Sequence, residues 1–119
     1  QFAWGIEGEL IPHQGNAFEV INETASSLSI NAKATNIHTS DIFYRKDAGI
    51  PAVAEKYNCL AVEMEAFALF ANAKYLGKNA ATILTVSDVI PTHEQISADE
   101  RERALKPMIE LALESAIKL

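Results

Sequence analysis

The sequence predicts an α/β fold, in which buried strands alternate with amphipathic helices. Two apolar runs, 59–62 and 80–86, have the composition of strands that are buried on both faces. Between them, residues 65–76 place small and apolar side chains at helical spacing, and Gly77 is a natural helix stop. A loop is predicted for 87–96. Such alternation is typical of layered α/β domains, and no repeat, low-complexity stretch or linker divides the chain.

The first half of the chain gives weaker signals. Residues 1–15 hold three of the five glycines, which favours a loop or an edge strand. A helix is predicted over 16–28, because apolar residues recur there at helical spacing after an asparagine. A strand is predicted for 30–38. A short helix follows at 51–57, where Pro51 suits the first turn.

The last helix has a clear start signal. Ser97 is followed three residues later by Glu100, which is the spacing of a capping box. Pro107 then interrupts the pattern, because a proline inside a helix removes one backbone hydrogen bond. We therefore expect two helical segments, 98–105 and 107–118.

Composition narrows the partners and the location. Sixteen acidic residues against ten basic ones give a formal net charge of −6, which disfavours nucleic acid as a partner. No apolar run is long enough for a bilayer, and no signal-peptide pattern opens the sequence. The single cysteine, Cys59, has no partner for an internal disulfide. We therefore expect a cytoplasmic location and no membrane contact.

Acidic residues follow both predicted buried strands. Glu63 and Glu65 come after the first strand, and Ser87 and Asp88 after the second. Because ligands of open α/β sheets bind at the carboxyl ends of strands, these residues indicate one possible site. A carboxylate there is suited to binding two neighbouring sugar hydroxyls. The alternatives are an acid in the first turn of a helix for Glu65 and a turn cap for Asp88.

An arginine and two aromatic residues complete the candidate site. Arg101 falls in the first turn of the last helix, where the helix dipole disfavours a cation, so Asp88 is a candidate partner. The alternative is a solvent-exposed helix face shared with Arg103. Phe43 and Tyr44 follow a predicted strand. Most such aromatics belong to the core, but one that lines a pocket can stack on a flat base.

Other kinds of site lack support. His93 lies next to an acid, but the remaining histidines, His13 and His38, do not stand at ligand spacing from it, so no metal site is expected. The sequence contains no G-x-S-x-G elbow, no G-x-G-x-x-G fingerprint and no Walker motif. A triad hydrolase, a dinucleotide site and a nucleoside triphosphate site are therefore unsupported.

Five short runs resemble, in order and spacing, the bacterial high-molecular-mass purine nucleoside phosphorylases, the hexameric DeoD type. They are SDIFY at 40–44, VEMEA at 62–66, TVSD at 85–88, THEQ at 92–95 and ER at 100–101. The VEMEA run is shared with uridine phosphorylases and methylthioadenosine nucleosidases. THEQ followed by ER narrows the resemblance to the purine enzymes. It covers about residues 16–119 and fades across 1–15.

The resemblance implies a three-layer α/β/α fold with a mixed sheet, of which the chain is the C-terminal portion of one domain. It implies a reaction in which phosphate attacks C1′ of a purine (deoxy)ribonucleoside and releases the base and (deoxy)ribose 1-phosphate. The partners implied are the nucleoside, inorganic phosphate as co-substrate without a further cofactor, and copies of the chain in a homohexamer built as a trimer of dimers.

The resemblance also assigns roles to individual residues. Asp88 matches the general acid that protonates N7 of the leaving purine, which requires it to hold a proton near neutral pH. Arg101 matches the arginine that approaches this aspartate late, as the site closes. The nucleoside-binding residues implied are Phe43 and Val62 at the base, Met64 and Glu65 at the ribose, and Glu63 and Ser87 beside them.

The sequence departs from the family in two respects. It lacks the glycine-containing loop with an arginine and the Arg-x-Gly-Ser-like segment of the phosphate site, and the N-terminal histidine and arginine that a neighbouring subunit supplies. We therefore expect the isolated 119 residues to be inactive as a phosphorylase. Two alternatives stay open: a purine nucleosidase of the methylthioadenosine/adenosylhomocysteine type, in which water replaces phosphate, and a non-catalytic fragment of the family.

Overall fold

A computed structural model describes residues 5, 8–44, 46, 49–90 and 92–119. These residues form four helices and four short strands, which confirms the α/β class. In chain order they are α1 Ala17–Ser27, β1 Ile37–Thr39, α2 Ala52–Lys56, β2 Ala61–Glu63, α3 Ala66–Leu76, β3 Asp88–Val89, β4 Glu94–Gln95 and α4 Ala98–Ala116. The chain divides into two compact units. The first combines Gln1–Gly15 with Lys33–Ala81, and the second combines Asn16–Ala32 with Thr82–Leu119.

The first unit contains a parallel pair of strands. β1 and β2 pair in register from Ile37 opposite Ala61 to Thr39 opposite Glu63. The strands were predicted at 30–38 and 59–62. Each observed strand has three residues and ends one residue later than predicted. The prediction of a strand at 30–36 is wrong, because these residues are mostly exposed and polar and form no ladder. Parallel strands end at the same edge, so the carboxyl ends of β1 and β2 lie side by side.

Two predicted helix boundaries in the first unit are confirmed. α2 begins directly after Pro51, and α3 ends at Gly77, which adopts the left-handed conformation with φ of 62°. The segment before α1 pairs with the end of this region, since Gln14 and Ala80 exchange two backbone hydrogen bonds of 2.8 and 2.9 Å. Gly15 has φ of +68°, and a Cβ there would lie 1.6 Å from the Asn79 side chain, so this close approach requires glycine.

The strand predicted at 80–86 is wrong. Ala80 forms an isolated bridge with Gln14, and residues 81–87 form no ladder with any described part of the chain. Leu84 and Val86 of this segment are exposed. Its apolar composition is that of a buried strand, but a strand forms only where a neighbouring strand supplies its hydrogen bonds.

In the second unit, α1 packs against α4. Leu111 and Thr24 are fully buried in this unit, and Lys118 donates a 3.0 Å hydrogen bond to the Thr24 hydroxyl. The loop predicted at 87–96 contains an antiparallel hairpin, in which β3 pairs with β4. None of the helices in the described ranges has the length and apolarity needed to cross a membrane.

α4 runs without interruption through Pro107, so the prediction of two separate helical segments is wrong. The proline removes the hydrogen bond to the carbonyl of Arg103, and both residues are exposed. Water can therefore satisfy that carbonyl. The packed face around Leu111 continues on the far side of the proline and holds the helix together.

The capping box at the start of α4 is confirmed. The Ser97 hydroxyl accepts the Glu100 N–H at 3.2 Å, and the Glu100 carboxylate accepts the Ser97 N–H at 2.8 Å. The hydrogen bond from the Ser97 backbone N–H lowers the pKa of Glu100 below its usual value of 4.5. The stability that the ionised Glu100 carboxylate contributes is therefore fully present above pH 4.5, and it is lost as the pH falls through the lowered pKa.

We predict that Glu100→Gln reduces the loss of stability between neutral pH and pH 3, because glutamine still fits a capping box but does not titrate. The free energy of unfolding, measured with urea at several pH values, tests this. Glu102→Gln, an exposed acid of the same helix, should leave the pH dependence nearly as it is in the unmodified protein. Equal pH dependence in the Glu100→Gln and unmodified proteins would contradict the prediction.

Candidate active site

The carboxyl ends of β1 and β2 carry a hydrogen-bonded pair of side chains. Thr39 is the last residue of β1, Glu63 is the last residue of β2, and the two are opposite each other in the ladder. The Thr39 hydroxyl donates a short hydrogen bond to Oε1 of Glu63. Both side chains are partly buried. The strand ends are therefore joined by side chains as well as by the ladder.

The same two side chains reach the beginning of α3. Oε2 of Glu63 accepts the N–H of Glu65 at 2.7 Å and the N–H of Ala66 at 2.6 Å. The Thr39 hydroxyl accepts the N–H of Phe67 at 3.1 Å. A helix leaves its first N–H groups without internal partners, and a negative charge near them is favourable. Glu63 and Thr39 thus supply the cap of α3 from the ends of the neighbouring strands.

Glu65 occupies the N-cap position of α3, yet its side chain makes no capping hydrogen bond. The carboxylate is exposed and accepts a long bond of 3.3 Å from the Met64 N–H. Within the described residues no cation pairs with it. The alternative of a first-turn acid does not describe this arrangement, because Glu65 is the N-cap residue and Glu63 accepts the N–H groups at the start of the helix.

Apolar side chains near these acids are exposed. Val62 is 45% and Met64 is 39% exposed, although both flank the end of a strand. Phe43 is 74% exposed and makes an edge-to-face contact with Tyr44, with ring centroids 4.9 Å apart. The alternative that Phe43 belongs to the core is therefore wrong. An exposed ring of this kind offers a face on which a flat base can stack.

The second unit holds the other predicted acid. Asp88 begins β3 and is paired with Gln95 across the hairpin. The Ser87 hydroxyl donates a 2.5 Å hydrogen bond to Oδ2 of Asp88, and the Ser87 carbonyl accepts the Ile96 N–H at 3.1 Å. Ser87 therefore fixes one oxygen of the carboxylate. The other oxygen has no hydrogen-bond partner among the described residues.

The turn of this hairpin contains a residue with a positive φ angle. His93 has φ of 56°, in the left-handed region that few residues other than glycine adopt. The Thr92 hydroxyl donates to the Val89 carbonyl at 3.5 Å, and the His93 N–H donates to the Ile90 carbonyl at 3.4 Å. The THEQ run thus forms part of the tight turn and the strand β4, which pairs with the strand that begins at Asp88.

Arg101 lies in the first turn of α4 with its side chain exposed. Its N–H makes the first helical hydrogen bond, 2.9 Å to the Ser97 carbonyl. No ion pair joins its guanidinium to Asp88 in the part of the chain that the structure describes. The pairing of Arg101 with Asp88 stays a prediction for the ligand-bound state.

Sequence reasoning missed one residue of this region, Thr39. The predicted strand 30–38 stopped one position before it, and nothing local marks a threonine as a partner of Glu63, 24 residues away. Only the register of β1 against β2 brings the two together. As for metals, no three His, Cys, Asp or Glu side chains among the described positions are placed to hold an ion.

Comparison with known families adds one finding to this geometry. A family model described as the phosphorylase superfamily matches residues 16–117. The match begins one residue before α1 and ends two residues before the last residue of the sequence. Because it takes in most of the 119 residues and every predicted site residue, the chain belongs to the phosphorylase superfamily.

Proposed function

We propose that this protein is a purine nucleoside phosphorylase of the bacterial high-molecular-mass type. The observation that carries the proposal is the exposed Glu65 carboxylate, which the capping by Glu63 leaves available at the strand ends. Membership of the phosphorylase superfamily supports a nucleoside as the ligand. The THEQ and ER runs at 92–95 and 100–101 favour a purine base and phosphorolysis, as against hydrolysis.

In this proposal Glu65 and Met64 bind the ribose. A carboxylate with two oxygens can accept hydrogen bonds from the 2′- and 3′-hydroxyls at once, and such charge-assisted bonds are about twice as strong as neutral ones. Glu65 has this capacity because its one internal bond is long and comes from the Met64 N–H. Val62 and Phe43, both exposed, provide apolar surface for the base.

Asp88 acts as the general acid. A purine anion is a poor leaving group, and proton transfer to N7 turns it into a neutral base as the bond to C1′ breaks. General acid catalysis of this kind contributes roughly 100- to 10,000-fold. The Ser87 hydroxyl holds one oxygen of Asp88, which leaves the other for N7. Arg101 stabilises the carboxylate after the proton has left, which explains why the two need not be paired beforehand.

Inorganic phosphate is the co-substrate, and no other cofactor is required. We propose that its site lies in sequence outside these 119 residues, which form the C-terminal portion of a single cytoplasmic domain that works as a homohexamer. The strand-like segment 80–86 supports this, because Leu84 and Val86 are exposed and residues 81–87 pair with no described strand. The isolated portion is then inactive.

We predict that Asp88→Ala abolishes most activity on ordinary purine nucleosides in the full-length protein. The loss should be at least about 100-fold in kcat, the lower limit for a general acid. On N7-methylated nucleosides the loss should be much smaller, since that base departs without a proton. Steady-state kinetics with both substrates, at saturating phosphate, provide the measurement.

Asp99→Ala, an exposed acid of the same unit, should retain activity on both substrates. Equal losses with the two substrates in Asp88→Ala would contradict the role of Asp88. The same assay separates phosphorolysis from hydrolysis, because a nucleosidase would release the base without phosphate and form no sugar phosphate.

We also predict that Glu65→Gln weakens nucleoside binding but leaves binding of the free purine base nearly unchanged. Charge-assisted hydrogen bonds to the ribose are lost, which corresponds to about tenfold or more in Kd. Titration calorimetry with the nucleoside and the base tests this in the full-length protein. Glu55→Gln, an exposed acid of α2, is the matched control. Parallel weakening of nucleoside and base would mean that Glu65 does not bind the ribose.

A further inference from the structure

The start of α3 is capped in an uncommon way. Ser, Thr, Asp and Asn are preferred at the N-cap of a helix, because their side chains accept an N–H of the first turn. The N-cap residue here is Glu65, whose side chain does not cap. Instead, the N–H groups of Glu65 and Ala66 bond to Glu63, and that of Phe67 bonds to Thr39. The capping acceptors therefore come from outside the helix.

The Thr39 hydroxyl both donates and accepts a hydrogen bond in this network. Its single proton goes to Oε1 of Glu63, and one of its two lone pairs accepts the Phe67 N–H at 3.1 Å. The proton cannot serve a ligand while both bonds exist. Glu63 is committed as well, since one oxygen accepts from Thr39 and the other accepts two backbone N–H groups. Both side chains are partly buried, whereas the Glu65 side chain is exposed and accepts a single long hydrogen bond.

We infer that Thr39 and Glu63 are positioning residues, which cap α3 from the strand ends so that the carboxylate of Glu65 stays free to bind the ribose. This inference rests on the proposed role of Glu65. It gives Glu63 a different role from direct contact with the nucleoside, and it adds Thr39 to the residues on which ribose binding depends.

The consequence of removing Thr39 follows from the same bonds. Thr39→Val keeps the shape of the side chain but leaves the Phe67 N–H without an acceptor and Glu63 without its donor. The next acceptor in sequence is the Glu65 carboxylate, and N-cap side chains ordinarily reach the N–H groups of the first turn. Glu65 then turns towards α3 and is withdrawn from the ligand.

The test compares Thr39→Val, Thr39→Ser and Thr35→Val in the full-length protein by calorimetric titration with a purine nucleoside and with the free base. Thr39→Val should weaken nucleoside binding about fivefold, the equivalent of one lost cap, and leave base binding unchanged. Thr39→Ser keeps the hydroxyl and should bind the nucleoside as tightly as the unmodified protein. Thr35→Val removes a hydroxyl that bonds to the Asn36 carbonyl at 3.2 Å and should have no effect.

Two further readouts separate positioning from a general loss of stability. Amide hydrogen exchange at Phe67 should become faster in Thr39→Val and recover in Thr39→Ser. In a Glu65→Gln background, Thr39→Val should weaken nucleoside binding no further, because its effect acts through Glu65. Further weakening there, or unchanged binding and exchange in Thr39→Val alone, would overturn the inference. Absence of nucleoside binding in the unmodified protein would instead contradict the proposed function.

Discussion

The first N–H groups of α3 must find acceptors beside the carboxyl ends of two parallel strands, and the candidate site depends on how they find them. A helix leaves these groups unsatisfied, and each unpaired buried one costs about 1–3 kcal/mol. Thr39 and Glu63, at the ends of two neighbouring strands, accept three of these N–H groups, and a fourth hydrogen bond joins the two side chains to each other. A single network therefore joins the ends of β1 and β2 to the start of α3.

The buried apolar residues of the chain are mostly small, whereas many large apolar side chains are exposed to solvent. Seven of the eight buried apolar residues among the described positions are alanines, and Leu111 is the exception. Alanine buries little area, so these side chains contribute a small share of the hydrophobic free energy that a leucine or phenylalanine would supply. Larger apolar side chains, such as Leu84, Val86 and Leu113, are exposed. This pattern agrees with the proposal that the region is covered by further sequence of the same domain in its working form.

Local signals were sufficient where an element is defined by its own residues. The capping box of Ser97 and Glu100 and the stop at Gly77 lie within one turn of the helices that they bound, so the sequence predicted them correctly. Strand pairing is not local. The register that joins Thr39 to Glu63 spans 24 residues, and the segment 80–86 has strand-like composition without a partner. Likewise, α4 continues through Pro107 because the carbonyl that loses its hydrogen bond is on the exposed side of the helix, while Leu111 packs on the buried side. The composition of the segment does not reveal this.

Two neighbouring acids are proposed to divide the roles at this site, in which Glu63 caps the helix and Glu65 binds the ligand. The most direct measurement is a crystal structure of the full-length protein with a purine nucleoside bound. We expect Glu65 oxygens at hydrogen-bond distance, about 2.7 Å, from the ribose hydroxyls. Glu63 should still accept the N–H groups of Glu65 and Ala66, as it does without ligand. A complex in which Glu63 turns to the ribose while Glu65 caps α3 would contradict the account.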